Sequence, residues 1–165
     1  MTKTILRYGI LGGLIVAVPW MVYMLTLPAN GHMPHSMLLG YTLMLVALST
    51  VFLGIKQYRD QALGGVIGFG KALLLGLGIS LVASLVYVLG WEIDMAFSKF
   101  DFIAAYAKMM GGDTPEAKQF VEMYSKPLVR MAFTFIEIFP VGVLVSLVSA
   151  GLLRNSRFLP ARVAA

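Results

Sequence analysis

The stretch from Ala72 to Trp91, ALLLGLGISLVASLVYVLGW, runs for 20 residues without an Asp, Glu, Lys or Arg. A hydrocarbon core of ~30 Å needs ~20 apolar residues at ~1.5 Å rise each, so this stretch is long enough to cross one. Water does not reach backbone groups there, which leaves a helix or a closed barrel as the spanning form. The stretch shows no strict two-residue alternation, so the helix is the reading. Ala72, Gly76, Ser80 and Ser84 recur within it at four-residue steps, and Gly64 and Gly68 extend the ladder backward. Lipid tails are as apolar as Leu, so helices in a bilayer associate where small residues let backbones approach.

Three further stretches have the same character: Tyr8 to Leu27, Met37 to Ile55, and Met131 to Leu153, the last interrupted by Glu137. Shorter small-residue ladders lie at Gly9, Gly13 and Ala17, and at Gly142, Ser146 and Ala150. The whole chain of 165 residues is 59% hydrophobic and 13% charged, with a mean hydropathy of +0.83. Average soluble domains carry about 45–50% apolar and about 25% charged residues, so a lone soluble domain, a disordered tail and a nucleic-acid-binding module are excluded. No cysteine is present, which excludes disulfides and thiolate chemistry. The net charge of +5 sits mostly beside the apolar stretches and reads as a topology signal. The expected fold is all-α: an integral membrane four-helix bundle over residues 1–165 as one domain.

Orientation follows from Lys and Arg. Lys3, Arg7, Lys56, Arg59, Lys71, Arg154, Arg157 and Arg162 place eight basic residues on one side, against five on the other: Lys99, Lys108, Lys118, Lys126 and Arg130. Glu92, Asp94, Asp101, Asp113, Glu116 and Glu122 offset those five. Both termini are therefore expected in the cytoplasm of a bacterial inner-membrane protein. The first stretch has a basic start, but its apolar run is longer than a signal peptide's and Leu27-Pro28-Ala29 is a poor cleavage site, so it is read as a retained helix. Lys56, Arg59, Lys71, Arg154 and Arg157 read as interface anchors that snorkel to lipid headgroups. A Lys56–Asp60 pair at four-residue spacing is the alternative for the first of them.

The third connection, Glu92 to Arg130, is about 39 residues long and predicts a helical cap. Phe97, Phe100, Ile103, Ala104 and Ala107 give one apolar face, ended by Gly111-Gly112. Asp113 or Thr114 caps a second helix with Pro115 in its first turn, and Phe120, Val121 and Tyr124 form its apolar face. Pro127 opens the fourth long helix.

Glu137 is the acid that topology leaves unexplained. It lies about 6 residues, roughly 9 Å, inside the outer boundary of the fourth stretch. A carboxylate there should face the bundle and be paired, hydrogen-bonded or protonated. Depth arithmetic puts Trp20, Tyr23, Tyr41, Thr42, Ser84 and Tyr87 in the same layer, and Arg130 two turns away on a similar face. The candidate polar site is Glu137 with Tyr23, Tyr87, Ser84, Thr42 and Arg130. Pro19 and Pro140 free the carbonyls of Ile15 and Ile136 near that depth, a layout used by ion and proton sites.

Other patterns are weaker. His32, Met33, His35 and Met37 carry soft ligand types, but the run has no carboxylate or thiolate and reads as a polar turn. Gly65 has Walker A spacing to Gly70-Lys71, yet Ala72 replaces the hydroxyl residue and no strand precedes it. No nucleophile–base pair is visible, so no enzyme activity, cofactor or metal is expected.

The motif Gly54-Ile55-Lys56-Gln57-Tyr58-Arg59-Asp60, then Gly64-Gly65-x-Ile67-x-Phe69-Gly70-Lys71-Ala72-Leu73 and Gly76-Leu77, resembles an uncharacterised bacterial family of small four-span membrane proteins, defined as a domain of unknown function. Asp101-Phe102-Ile103 and Gly142-x-x-x-Ser146-Leu147-Val148 extend the likeness over nearly the whole chain. Pro19, Pro140 and Glu137 lie outside it. The resemblance implies four spans and a retained first helix, and it implies no activity. Three functions are then weighed in order. The first is a structural protein packing against itself or a membrane partner through the small-residue ladder. The second is a small ion- or proton-coupled transporter using Glu137. The third is a lipid or metal sensor reading the outer leaflet through the cap.

Overall fold

The computed structural model describes residues 1–26, 37–99 and 101–160. Among them are six helices and no strand: α1 (Thr2–Thr26), α2 (Met37–Ala62), α3 (Phe69–Phe97), α4 (Phe102–Met109), α5 (Pro115–Tyr124) and α6 (Pro127–Leu153). The helices α1, α2, α3 and α6 are long and apolar enough to cross a membrane. Helix α3 packs against α1, α6 and α2, so it forms the centre of the bundle. The run His32 to Met37, weighed above as a metal site, lies outside the described side chains, as does Phe100.

Small residues set the helix contacts. A Cβ at Gly9 would stand 2.5 Å from Val82 Cβ, and one at Gly13 would stand 2.5 Å from Val86 Cβ, so α1 lies directly on α3. On the other side of α3, Ser80 Oγ donates to the Gly142 carbonyl at 3.1 Å and lies 3.1 Å from Ser146 Oγ. Gly76 opposes Ser146, and Ala72, Ser80 and Ser84 are buried. Two apolar clusters fill the interior. One holds Leu48, Val51, Ile55, Leu75, Ile79 and Leu153 near the chain termini; the other holds Val16, Met44, Ala47, Tyr87 and Ile138 toward the cap.

The ladder is shorter than its sequence spacing. Helix α3 begins at Phe69, and Gly64 sits at φ +63° in the turn that ends α2. Only glycine adopts that conformation without strain, so Gly64 serves a chain reversal. A Cβ on Gly64 or Gly68 would meet nothing within 4 Å. Neither is a packing residue, which corrects the expectation for both.

Helix α3 also runs past Trp91 to Phe97, because no breaker intervenes before Ser98, whose N–H returns to the Asp94 carbonyl at 2.8 Å. Glu92 and Asp94 are therefore helical, and Phe97 belongs to α3 rather than to the cap's apolar face. The cap itself starts at Asp101, whose carboxylate accepts from Ala104 N–H at 2.9 Å. Gly111 and Gly112, at φ +106° and +68°, end α4. Thr114 then caps α5 by accepting from Ala117 N–H, with Pro115 in the first turn, and Pro127 opens α6.

Candidate functional site

The cap end of the bundle holds a half-open cleft of about 370 Å³. Each long helix contributes one turn to it. Tyr87 and Trp91 stand four residues apart on α3, and Thr134 and Glu137 three apart on α6, so each pair shares a face. Val16 and Trp20 come from α1, and Gly40, Tyr41, Leu43 and Met44 from α2. Phe102 and Tyr106 of α4 and Tyr124 of α5 close the cap side.

A chain of ring contacts holds the cap in place. The Trp91 and Phe102 rings meet edge to face, with centroids 4.9 Å apart, and Phe102 lies 5.8 Å from Tyr106 and 6.0 Å from Tyr124. Trp20 lies 6.0 Å from Trp91, which ties α1 into the same chain. Such pairs each add about 0.5–1.5 kcal/mol beyond area burial. Burial holds the Tyr124 phenol above its ordinary range, with Trp91 and Thr134 beside it partly opposing the shift. It therefore stays neutral at physiological pH.

Glu137 faces this cleft, and its carboxylate has no hydrogen bond or ion pair among the described residues. Arg130 is turned away from it. The Arg130 Nε and Nη2 donate to the two oxygens of Glu92 at 2.7 and 2.5 Å, and Nη1 donates to the Tyr124 carbonyl at 3.2 Å. All faces of the guanidinium fork are thus committed to joining α3, α5 and α6. Of the three states expected of Glu137 (paired, hydrogen-bonded or protonated), the first two find no partner among the described residues, and the expectation that Arg130 shares its site is corrected.

Of the other expected partners, Tyr87 lines the cleft and Tyr23, Ser84 and Thr42 do not. Tyr23 sits against Trp20, with ring centroids 5.9 Å apart. Ser84 is buried and donates to the Ser80 carbonyl at 2.8 Å. Thr42 donates to the Leu38 carbonyl at 2.7 Å on an exposed face of α2. Equal depth placed these residues in one layer, but depth carries no information about which way each face points.

Sequence reasoning missed Trp91, Thr134, Phe102, Tyr106 and Tyr124. Helical stepping was a usable signal for two of them: Trp91 lies four residues after Tyr87, and Thr134 three before Glu137. Asp94 was also missed as a buried acid. It is 1% exposed, one of its carboxylate oxygens has no hydrogen-bond partner, and it continues the Tyr87–Trp91 stripe of α3 by one more turn.

The opposite end of the bundle corrects two of the anchors. Arg59 is fully buried, with 0% exposure. Its Nε donates to Asp60 at 2.7 Å, and its two Nη groups donate to the carbonyls of Leu153, Phe158 and Leu159 at 3.4, 2.9 and 2.5 Å. It ties the end of α6 and the following segment to α2 instead of reaching toward lipid. Lys56 is paired with Asp60 at 2.5 Å, so the helical pair forms. Lys71, Arg154 and Arg157 are exposed, as an interface anchor would be.

Chemically, the cleft offers one unpaired carboxylate among aromatic rings. Among the described residues no group of three His, Cys, Asp or Glu side chains is placed to hold a metal ion. The arrangement suits a cation that needs a counter-charge and apolar contact. A family model described as "Protein of unknown function (DUF4199)" matches residues 7–155. Neither the curated proteins nor the solved structures contain a match to the chain.

Proposed function

Since the chain belongs to the DUF4199 family, described as of unknown function, we propose a function from its own cleft: a multi-pass membrane protein that binds a small cation at Glu137. The carrying observation is the Glu137 carboxylate, which lines an aromatic cleft while the nearby Arg130 is held by Glu92. An acid at a membrane-spanning depth without a structural partner is costly to keep, which favours a ligand as the partner. The ladder that motivated a packing role is used up inside the chain, since Gly76, Ser80, Gly142 and Ser146 face one another across α3 and α6. That removes the main support for a self- or partner-association function.

In this reading the protein is a non-enzymatic inner-membrane protein of one domain, surrounded by lipid, with both termini cytoplasmic. The eight-to-five basic asymmetry supports that orientation. The cleft then opens on the outer side, beneath α4 and α5, where it takes up the cation for sensing or for transport.

The test uses the two tryptophans of the chain, Trp20 and Trp91, which both line the cleft. The protein in lipid nanodiscs is titrated with sodium, ammonium and alkylammonium chlorides while tryptophan emission is recorded. At least one cation should give a saturable change, and Glu137→Gln should weaken it about tenfold or more, the scale of a lost contact between opposite charges. No saturable change with any cation overturns the proposal.

A further inference from the structure

Resting on that reading, we propose that the cation is a quaternary, trimethylammonium-type group rather than a metal ion or a bare ammonium. The donor set is the reason. Calcium-like ions take six to eight oxygen ligands, and smaller hard ions demand near-ideal polar shells. The cleft provides one carboxylate and the Thr134 oxygen, whose proton goes to the Arg130 carbonyl at 3.0 Å, and the rest of its side-chain oxygens are tyrosine hydroxyls carried on rings. A primary ammonium brings three N–H donors that all need acceptors. A quaternary ammonium brings none. It needs one counter-charge and the electron-rich surface of aromatic rings.

The remaining lining supplies that surface. Trp20, Trp91, Phe102, Tyr106 and Tyr124 form a connected set of rings, with Tyr87 beside Glu137. The volume of about 370 Å³ falls within the range for small-molecule sites. Tyr41 and Glu137 are both exposed on the bundle surface, so the group can arrive on a soluble molecule or on a lipid headgroup from the side.

The experiment compares tetramethylammonium, ammonium and sodium chlorides at constant ionic strength, read by tryptophan emission. Nanodiscs of phosphatidylglycerol form one arm and nanodiscs of phosphatidylcholine the other. In phosphatidylglycerol, tetramethylammonium should saturate at concentrations about tenfold or more below ammonium. Glu137→Gln should abolish the difference. Tyr41→Leu, on an exposed face where folding is not at stake, should weaken tetramethylammonium by about threefold or more. If phosphatidylcholine pre-shifts the emission and blocks the titration, the source is the lipid headgroup; equal titration in both lipids assigns a soluble ligand. Ammonium or sodium binding as tightly as tetramethylammonium overturns the quaternary class and leaves cation binding standing. Silence toward all three overturns both.

Discussion

Glu92 and Arg130 pair with each other, which leaves Glu137 without Arg130 as a partner. Their two-bond contact is nearly buried, with side-chain exposures of 10% for Arg130 and 16% for Glu92. Breaking such a pair by removing one partner strands a buried charge and costs about 3–5 kcal/mol. Glu92→Ala should therefore lower the thermal midpoint markedly, measured by circular dichroism in detergent. A midpoint within error of the parent would show that the pair holds nothing in place. Arg59 makes a second residue-scale case. Replacing it with Gln removes donors from the carbonyls of Leu153, Phe158 and Leu159, of which the buried Leu153 carbonyl costs about 1–3 kcal/mol if left unsatisfied. Trypsin should then cut faster after Arg154 and Arg157, which follow α6. Unchanged cleavage would mean the segment is held by other contacts. Neither role was legible in the sequence. Both arginines read as ordinary basic residues at helix ends, and what distinguishes them is the carbonyl or carboxylate that a distant segment brings.

At the scale of elements, the contact between α3 and α6 is the tightest test of the small-residue ladder. A Cβ on Gly142 would lie 2.7 Å from Ser80 Cβ, whereas one on Gly68 would meet nothing within 4 Å. Gly142→Leu should destabilise by about 1–3 kcal/mol through overpacking, while Gly68→Ala should leave the thermal midpoint unchanged. Equal effects of the two would mean that ladder spacing, not contact, predicts packing. The sequence showed the ladder through its four-residue period. It did not show where the ladder stops, because Gly64 and Gly68 keep the period while the backbone leaves the helix. The same period logic found the cap: Gly111-Gly112, Thr114, Pro115 and Pro127 mark the helix ends that the structure adopts.

For the whole molecule, the arrangement puts the cap at one end of the bundle and the start of α1 and the end of α6 at the other. The chain contains no cysteine, so single cysteines report topology cleanly. Lys118→Cys on α5 should react with an impermeant maleimide in intact cells. Ser156→Cys, beyond α6, should react only after permeabilisation. Labelling of both from the same side would reject the four-span arrangement.

The membrane character, the all-α class and the number of long helices follow from length, charge exclusion and residue period, which are local quantities carried by each stretch alone. Membership in the family follows from motifs along one chain in the same way. Which faces meet is a different kind of fact. Arg130 belongs to Glu92, Arg59 to carbonyls at and beyond the end of α6, and Glu137 to a cleft of rings drawn from the other five helices. Each assignment depends on helix rotation and on contacts between residues far apart in the chain, and neither is encoded in the depth of a residue along its own helix.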